Sequence, residues 1–168
     1  MINALTVDLE DWYHVCGNEK YAFPSKWKGY ESRVTKNTEK VLSILRTFNV
    51  KATFFTLGYI AEKEPDLVRA IFKEGHEIAT HGHFHFRIFE LTPDEFEKDL
   101  IKSKETIEKI IDEPVLGYRA PEWSIRSDTL WALSIMKKIG IAYDSSMVPL
   151  YRMGEREFPV FPKKMTTP

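Results

Sequence analysis

One cysteine, Cys16, is all that the 168 residues contain. That excludes an internal disulfide and any cysteine-based zinc site. No apolar run approaches the roughly 20 residues that a membrane-spanning helix needs. The first residues, Met1 to Asp8, lack the basic start and apolar stretch of a signal peptide, so a cytoplasmic location is the default expectation. Charge of one sign is concentrated nowhere, and 24 Lys and Arg against 25 Asp and Glu leave a net charge of −1. Such a chain offers no electrostatic footprint for nucleic acid or for an anionic membrane. A Gly-x-Gly-x-x-Gly turn, a phosphate loop and a Gly-x-Ser-x-Gly elbow are all missing, which leaves nucleotide-binding and serine-hydrolase readings without support. Histidine is scarce, and none of the five lies beyond His85.

What is present suits a folded core. Hydrophobic residues make up 43% and charged residues 29%, and the length fits a single domain over residues 1–168. Short β-rich runs alternate with helical patterns. Strands are expected over Asn3–Asp8, Ala52–Leu57, Glu77–Thr80, Val115–Arg119 and Ile141–Asp144, each bounded by Gly, Pro or polar residues. Gly58 is expected to close the second. Between them, Val41, Leu42, Ile44, Leu45 and Phe48 make one apolar helical face. Pro65 opens a further helix that Gly75 ends, and Thr92-Pro93-Asp94-Glu95 is a capping box starting a helix to about Ile111. Ser127 caps a last helix reaching Lys138 and ended by Gly140. The alternation predicts an α/β fold with a parallel sheet, either a barrel or doubly wound.

In both architectures ligands gather at the C-terminal ends of the strands, and there the chemistry-bearing residues fall. Asp8, Glu10 and Asp11 follow the first strand, His81, His83 and His85 the third, Arg119 ends the fourth and Asp144 the fifth. His81 and His85 are four apart, so in one helical turn their imidazoles share a face and can chelate one ion. His-x-x-x-His alone is a weak signal. A carboxylate from the first strand would complete three protein ligands for zinc, cobalt or a similar metal, with a position left for water. Asp8 and Glu10 share one face of an extended strand, and Asp11 joins them if the chain bends after Asp8. One acid could ligate the metal while another serves as general base, because a metal lowers the pKa of its water from about 15.7 toward 7. Arg119 among those acids would orient the base by a charged hydrogen bond. His83 points off the shared face, and His14 and His76 suit structural roles. The long loop from Leu9 to about Arg33 carries Trp12, Tyr13, Tyr21, Phe23, Trp27 and Tyr30, which argues for packing or a sugar-binding wall rather than disorder.

The stretches "TVDLEDW", "ATFFTLGYIAEKEPDLVRAIFKEGHEIATHGHFH", "GYRAPEWS" and "GIAYDSSMVP" together resemble the polysaccharide deacetylases of the NodB-homology type, the family-four carbohydrate esterases. The branch whose first motif reads Asp-x-Glu-Asp-aromatic, linked to exopolysaccharide synthesis, is the most similar. The resemblance runs from about Asn3 to Pro149. It implies a distorted (β/α) barrel, a divalent metal, usually zinc (Zn2+) with Co2+ an alternative, and hydrolysis of the acetamido group of an N-acetylated glycan to release acetate. Carried over, Asp8 matches the general base, His81 and His85 the metal ligands, and Arg119 the arginine that orients the base. Glu10 is the favoured third ligand by the same-face argument, with Asp11 its rival. Trp12, Pro121, Trp123 and Asp144 are the expected substrate-binding residues. The family's last motif supplies a histidine that protonates the leaving amine, and no such histidine follows His85. Five strands also fall short of the family's seven or eight, so the barrel is expected to be incomplete at its C-terminal end. An open sheet edge favours self-association. Two other readings stand beside the deacetylase. One is a catalytically impaired carbohydrate-binding or assembly module, and the other a hydrolase of a different non-peptide C–N bond.

Overall fold

The computed structural model describes residues 3–18, 23–150 and 154–164. Five parallel strands pair in chain order: β1 (Thr6–Leu9), β2 (Thr53–Thr56), β3 (Glu77–Thr80), β4 (Gly117–Tyr118) and β5 (Tyr143–Asp144). The predicted parallel α/β fold is thus observed. Among the described residues six α-helices connect them: α1 (Pro24–Trp27), α2 (Val34–Thr47), α3 (Gly58–Lys63), α4 (Pro65–Lys73), α5 (Pro93–Ile111) and α6 (Trp131–Ile139).

Register decides what faces where. Asp8 pairs with Phe55 and Phe55 with Ala79, so these residues share one face. Leu9, Phe54 and Ile78 turn to the other face and pack in one buried cluster with Leu42, Leu45, Val68, Ile71 and Ile107 from the helices. A second cluster joins Tyr118 to Phe96, Leu100, Ala132 and Met136. The face carrying Asp8 and Phe55 is therefore the inner one. In a flat sheet, strands about 4.8 Å apart would put β4 about 14 Å from β1. Instead the Arg119 guanidinium, just past β4, donates to Thr6 and Asp8 on β1 at 3.1 and 2.7 Å. The sheet is curled as in part of a barrel, with β1 and β5 as its two outer strands among the described residues.

Several local expectations need correction. Gly58 opens α3 rather than ending a strand, and that helix is absent from the periodicity argument. Only one residue pair joins β3 to β4 and two join β4 to β5, so the fourth and fifth strands shrink to two residues each. Val115 leaves the ladder for the core. The buried stripe of α2 is Val34, Thr38, Leu42 and Leu45, while Ile44 is 58% exposed and Phe48, at the C-cap, 72%. Ser127 starts a short 3-10 turn, and α6 begins four residues later. The Thr92 capping box, the Pro65 start and the Gly75 and Gly140 ends occur as expected. The long loop after β1 is packed: Tyr13 and Trp27 are buried, and Trp12, Tyr13, Trp27 and Tyr30 make edge and tilted ring contacts. Tyr21 lies outside the described residues.

Candidate metal centre

The turn after β3 brings His81 and His85 together with ring centroids 5.1 Å apart. It is not the helical turn expected from the i, i+4 spacing. Gly82 and His85 adopt left-handed backbone angles, φ 78° and 57°. For His85, which has a Cβ, that conformation is held against an intrinsic cost of about 1–2 kcal/mol. Helix α5 supplies the restraint. The Asp99 carboxylate accepts the backbone N–H groups of His83 and Phe84 at 2.7 and 3.2 Å. One turn further on, Ser103 donates to the Gly82 carbonyl at 2.9 Å. A side chain at position 82 would start 3.0 Å from the Asp99 carboxylate, so glycine allows both the turn and the close approach.

Glu10 arrives just past β1, on the face that Asp8 shares. One ligand atom from each of Glu10, His81 and His85 lies within 4.8 Å of the others. His81 Nδ1 is 2.8 Å from the Arg119 carbonyl oxygen. A carbonyl only accepts, so Nδ1 carries the hydrogen and Nε2 keeps a free lone pair. Burial lowers the His81 pKa to about 3, with the neighbouring His85 adding to the effect, and the neutral form is the one a metal takes. Glu10 Oε2 is buried without a well-formed hydrogen bond, although His85 Nε2 stands 2.8 Å away. Two imidazoles and a buried carboxylate oxygen lacking a donor fit a divalent cation with N,N,O ligands.

Asp11, the rival ligand, is turned elsewhere. Its carboxylate accepts from Trp12 N, Ser32 Oγ, Arg33 N and Val34 N at 2.8–3.2 Å, closing the N-terminus of α2. Its lone pairs are spent on the orphan N–H groups of a helix start, which an acid satisfies well.

Asp8 and Arg119 form a tight pair beside this cluster, with Nη1 donating to Asp8 Oδ1 at 2.7 Å. Nη2 donates to Ser145 Oγ at 2.8 Å, and the guanidinium lies 4.0 Å over the Phe55 ring. Arg119 therefore links both halves of the site: its carbonyl sets His81 and its side chain sets Asp8. Ser145, Thr6, Asp99 and Cys16 were not singled out by the sequence. Their contacts span 15 to 113 positions, and no local pattern marks them.

The remaining candidates scatter. Trp12 is 41% exposed, donates to the Glu31 carbonyl and stacks within the loop's own aromatics. Pro121 is buried in a short 3-10 turn, whereas Trp123 lines a cavity of about 640 Å³ with Arg119, Asp144 and Ser145. Asp144 accepts from Ser146 N and Oγ, and burial raises its pKa to about 6. His14 accepts from Asp11 N, and burial lowers its pKa to about 3. His76 accepts from Ala52 N. The His83 ring is fully buried under α3 with neither nitrogen hydrogen-bonded, Glu62 being 3.6 Å away, and burial lowers its pKa to about 4. Cys16 touches His85, and burial pushes its thiol up to about 12.

Known proteins share this plan. The family model described as polysaccharide deacetylase matches residues 27–143. A peptidoglycan-N-acetylglucosamine deacetylase of Bacillus cereus is 34% identical over 135 residues, covering 74% of this chain and 49% of its own. A Mycobacterium smegmatis protein assigned to the polysaccharide deacetylases superposes with a TM-score of 0.72 at 28% identity, over 86% of this chain and 50% of its own. A CE4 family pseudoenzyme from Bacillus anthracis shares the fold with a TM-score of 0.64 at 20% identity, over 84% of this chain and 41% of its own. The chain spans about half the length of the relatives it matches.

Proposed function

Because the chain belongs to the polysaccharide deacetylase family, we propose that it carries the metal-binding and general-base half of a hydrolase that removes the N-acetyl group from a sugar in a glycan. The observation that carries this reading is the meeting of Glu10, His81 and His85 at one point beside the Asp8–Arg119 pair. Glu10, His81 and His85 would hold a divalent cation, zinc being the best match to two imidazoles and a carboxylate. When bound, such an ion polarises an amide carbonyl and makes water acidic enough for a carboxylate to deprotonate near neutral pH.

This chain's own groups then do the following. Asp8 takes one proton from the attacking water as its oxygen bonds to the acetamido carbon. Arg119 keeps the second Asp8 oxygen free by holding Oδ1 at 2.7 Å, and Ser145, Thr6 and Phe55 fix the guanidinium in turn. The C–N bond breaks, the sugar nitrogen takes the proton held by Asp8 to become the amine, and acetic acid leaves and ionises to acetate. The substrate would approach along the rim where Trp123 and Asp144 line the cavity. The similarity to a peptidoglycan-N-acetylglucosamine deacetylase supports an N-acetylated glycan over other amides.

The test is acetate release from N-acetylated glycan fragments by zinc-loaded protein. Turnover abolished by chelator and by His81→Ala supports the proposal. Saturable glycan binding without acetate would select the carbohydrate-binding module instead.

A further inference from the structure

Resting on the metal centre proposed above, we infer that Cys16 is the positioning residue of His85, holding its imidazole in the tautomer that leaves Nε2 free for a cation. Cys16 lies on the loop after β1, 69 positions from His85. Its Sγ is 3.1 Å from the His85 carbonyl oxygen and 3.3 Å from His85 Nδ1. The carbonyl only accepts, so the thiol hydrogen points to it. Sulfur then meets Nδ1 with lone pairs alone, and Nδ1 must carry the ring hydrogen and donate it. One thiol thus grips both the backbone and the ring of a residue whose φ is 57°.

The consequence falls on the opposite side of the ring. Nε2 is left as a bare lone pair 2.8 Å from Glu10 Oε2, a buried oxygen without a hydrogen bond. Two acceptors at that distance repel unless a cation attracts both. With Nδ1 carrying the hydrogen, the position therefore calls for a positive charge. His81 reaches the same state by donating Nδ1–H to the Arg119 carbonyl. Metal-bound histidines commonly give their second N–H to a carboxylate, carbonyl or water. Here the carbonyl serves His81 and a neutral thiol serves His85. Without Cys16, the ring can move its hydrogen to Nε2 and donate to Glu10, forming a closed pair that competes with the metal.

The experiment uses the full chain, 15N-labelled and treated with chelator. Long-range proton–nitrogen correlation reads the His85 tautomer, and Zn2+ titration reads affinity, for wild type, Cys16→Ala and Cys16→Ser. Wild type is expected to show hydrogen on Nδ1, and Cys16→Ala to shift it to Nε2 and weaken Zn2+ binding 10- to 100-fold. Cys16→Ser, which can both donate and accept, is expected to recover most of the affinity. Unchanged amide spectra elsewhere show that the variants fold. If wild type binds Zn2+ and Cys16→Ala matches it within twofold with the same tautomer, the inference is overturned. If wild type binds no Zn2+ yet the tautomer shifts in Cys16→Ala, the metal centre fails while the coupling of Cys16 to His85 stands. No binding and no shift overturns both.

Discussion

Lowering the pH from 7 to 5 should strip much of the stability of the metal-free protein, because three histidines are buried in neutral form. Burial lowers the pKa of His14 and His81 to about 3 and of His83 to about 4, against about 6.5 in the unfolded chain. The unfolded state then binds more protons than the folded one below pH 6.5. Stability is fully present above that value and is lost as the pH falls. Between pH 7 and 5 each histidine costs about 2 kcal/mol, and the three about 6 kcal/mol. Asp144 acts in the opposite direction. Its pKa is raised to about 6, so its stabilising contribution is present at low pH and is lost as pH rises through 6. Acidification to pH 5 therefore offsets about 1 kcal/mol of the loss, and Asp99, raised by burial, has the same sign. A net loss of about 5 kcal/mol compares with a total of roughly 5–15 kcal/mol for a domain. With a urea slope of about 2 kcal/mol per molar, the unfolding midpoint should drop by about 2.5 M. The assay is urea unfolding of chelator-treated protein at both pH values and constant ionic strength. His14→Gln should remove about a third of the dependence. A midpoint unchanged or higher at pH 5 would refute the buried neutral histidines.

Asp8→Asn should lower acetate release by about 10²–10⁴ in kcat with Zn2+ affinity within a few-fold of wild type, checked by steady-state kinetics beside titration. Asp11 and Glu10 should separate cleanly. Asp11→Ala, which strands the N–H groups at the start of α2, should cost about 2 kcal/mol or more in thermal or urea unfolding while the folded protein still takes up one Zn2+. Glu10→Gln should leave stability near wild type and weaken Zn2+ binding at least tenfold; the reverse pattern would assign the ligand to Asp11. Gly58→Ala should destabilise by about 2 kcal/mol or more, since its Cβ would fall 2.4 Å from His83 Nδ1 and 2.8 Å from the Ser103 backbone. A melting temperature equal to wild type would show that His83 and α5 can yield there.

Much of this arrangement could be read from short-range pattern. Strand–helix alternation placed Asp8, Glu10, His81, Arg119 and Asp144 at one rim because side-chain period and parallel direction are local properties. The same-face argument favoured Glu10, and the structure brings Glu10 rather than Asp11 to the histidines. The reason for the histidine pairing was misjudged. His81 and His85 meet through a left-handed turn held by Asp99 and Ser103, which lie on a helix that begins eight residues later. Tertiary hydrogen bonds of that kind leave no periodic trace. Cys16 is similar: its contact with His85 depends on how the loop after β1 folds back, and neither spacing nor propensity encodes it. The short β4 and β5 show the same limit, since the number of ladder bonds follows from sheet curl rather than from β propensity.

The centre itself is tested most directly by titrating Zn2+ into chelator-treated protein and recording X-ray absorption at the zinc edge. One ion per chain is expected, with scattering from two imidazoles and at least one oxygen, and with His81→Ala losing one imidazole or the ion altogether. No saturable uptake, or a zinc shell without imidazole scattering, would contradict a shared cation at Glu10, His81 and His85.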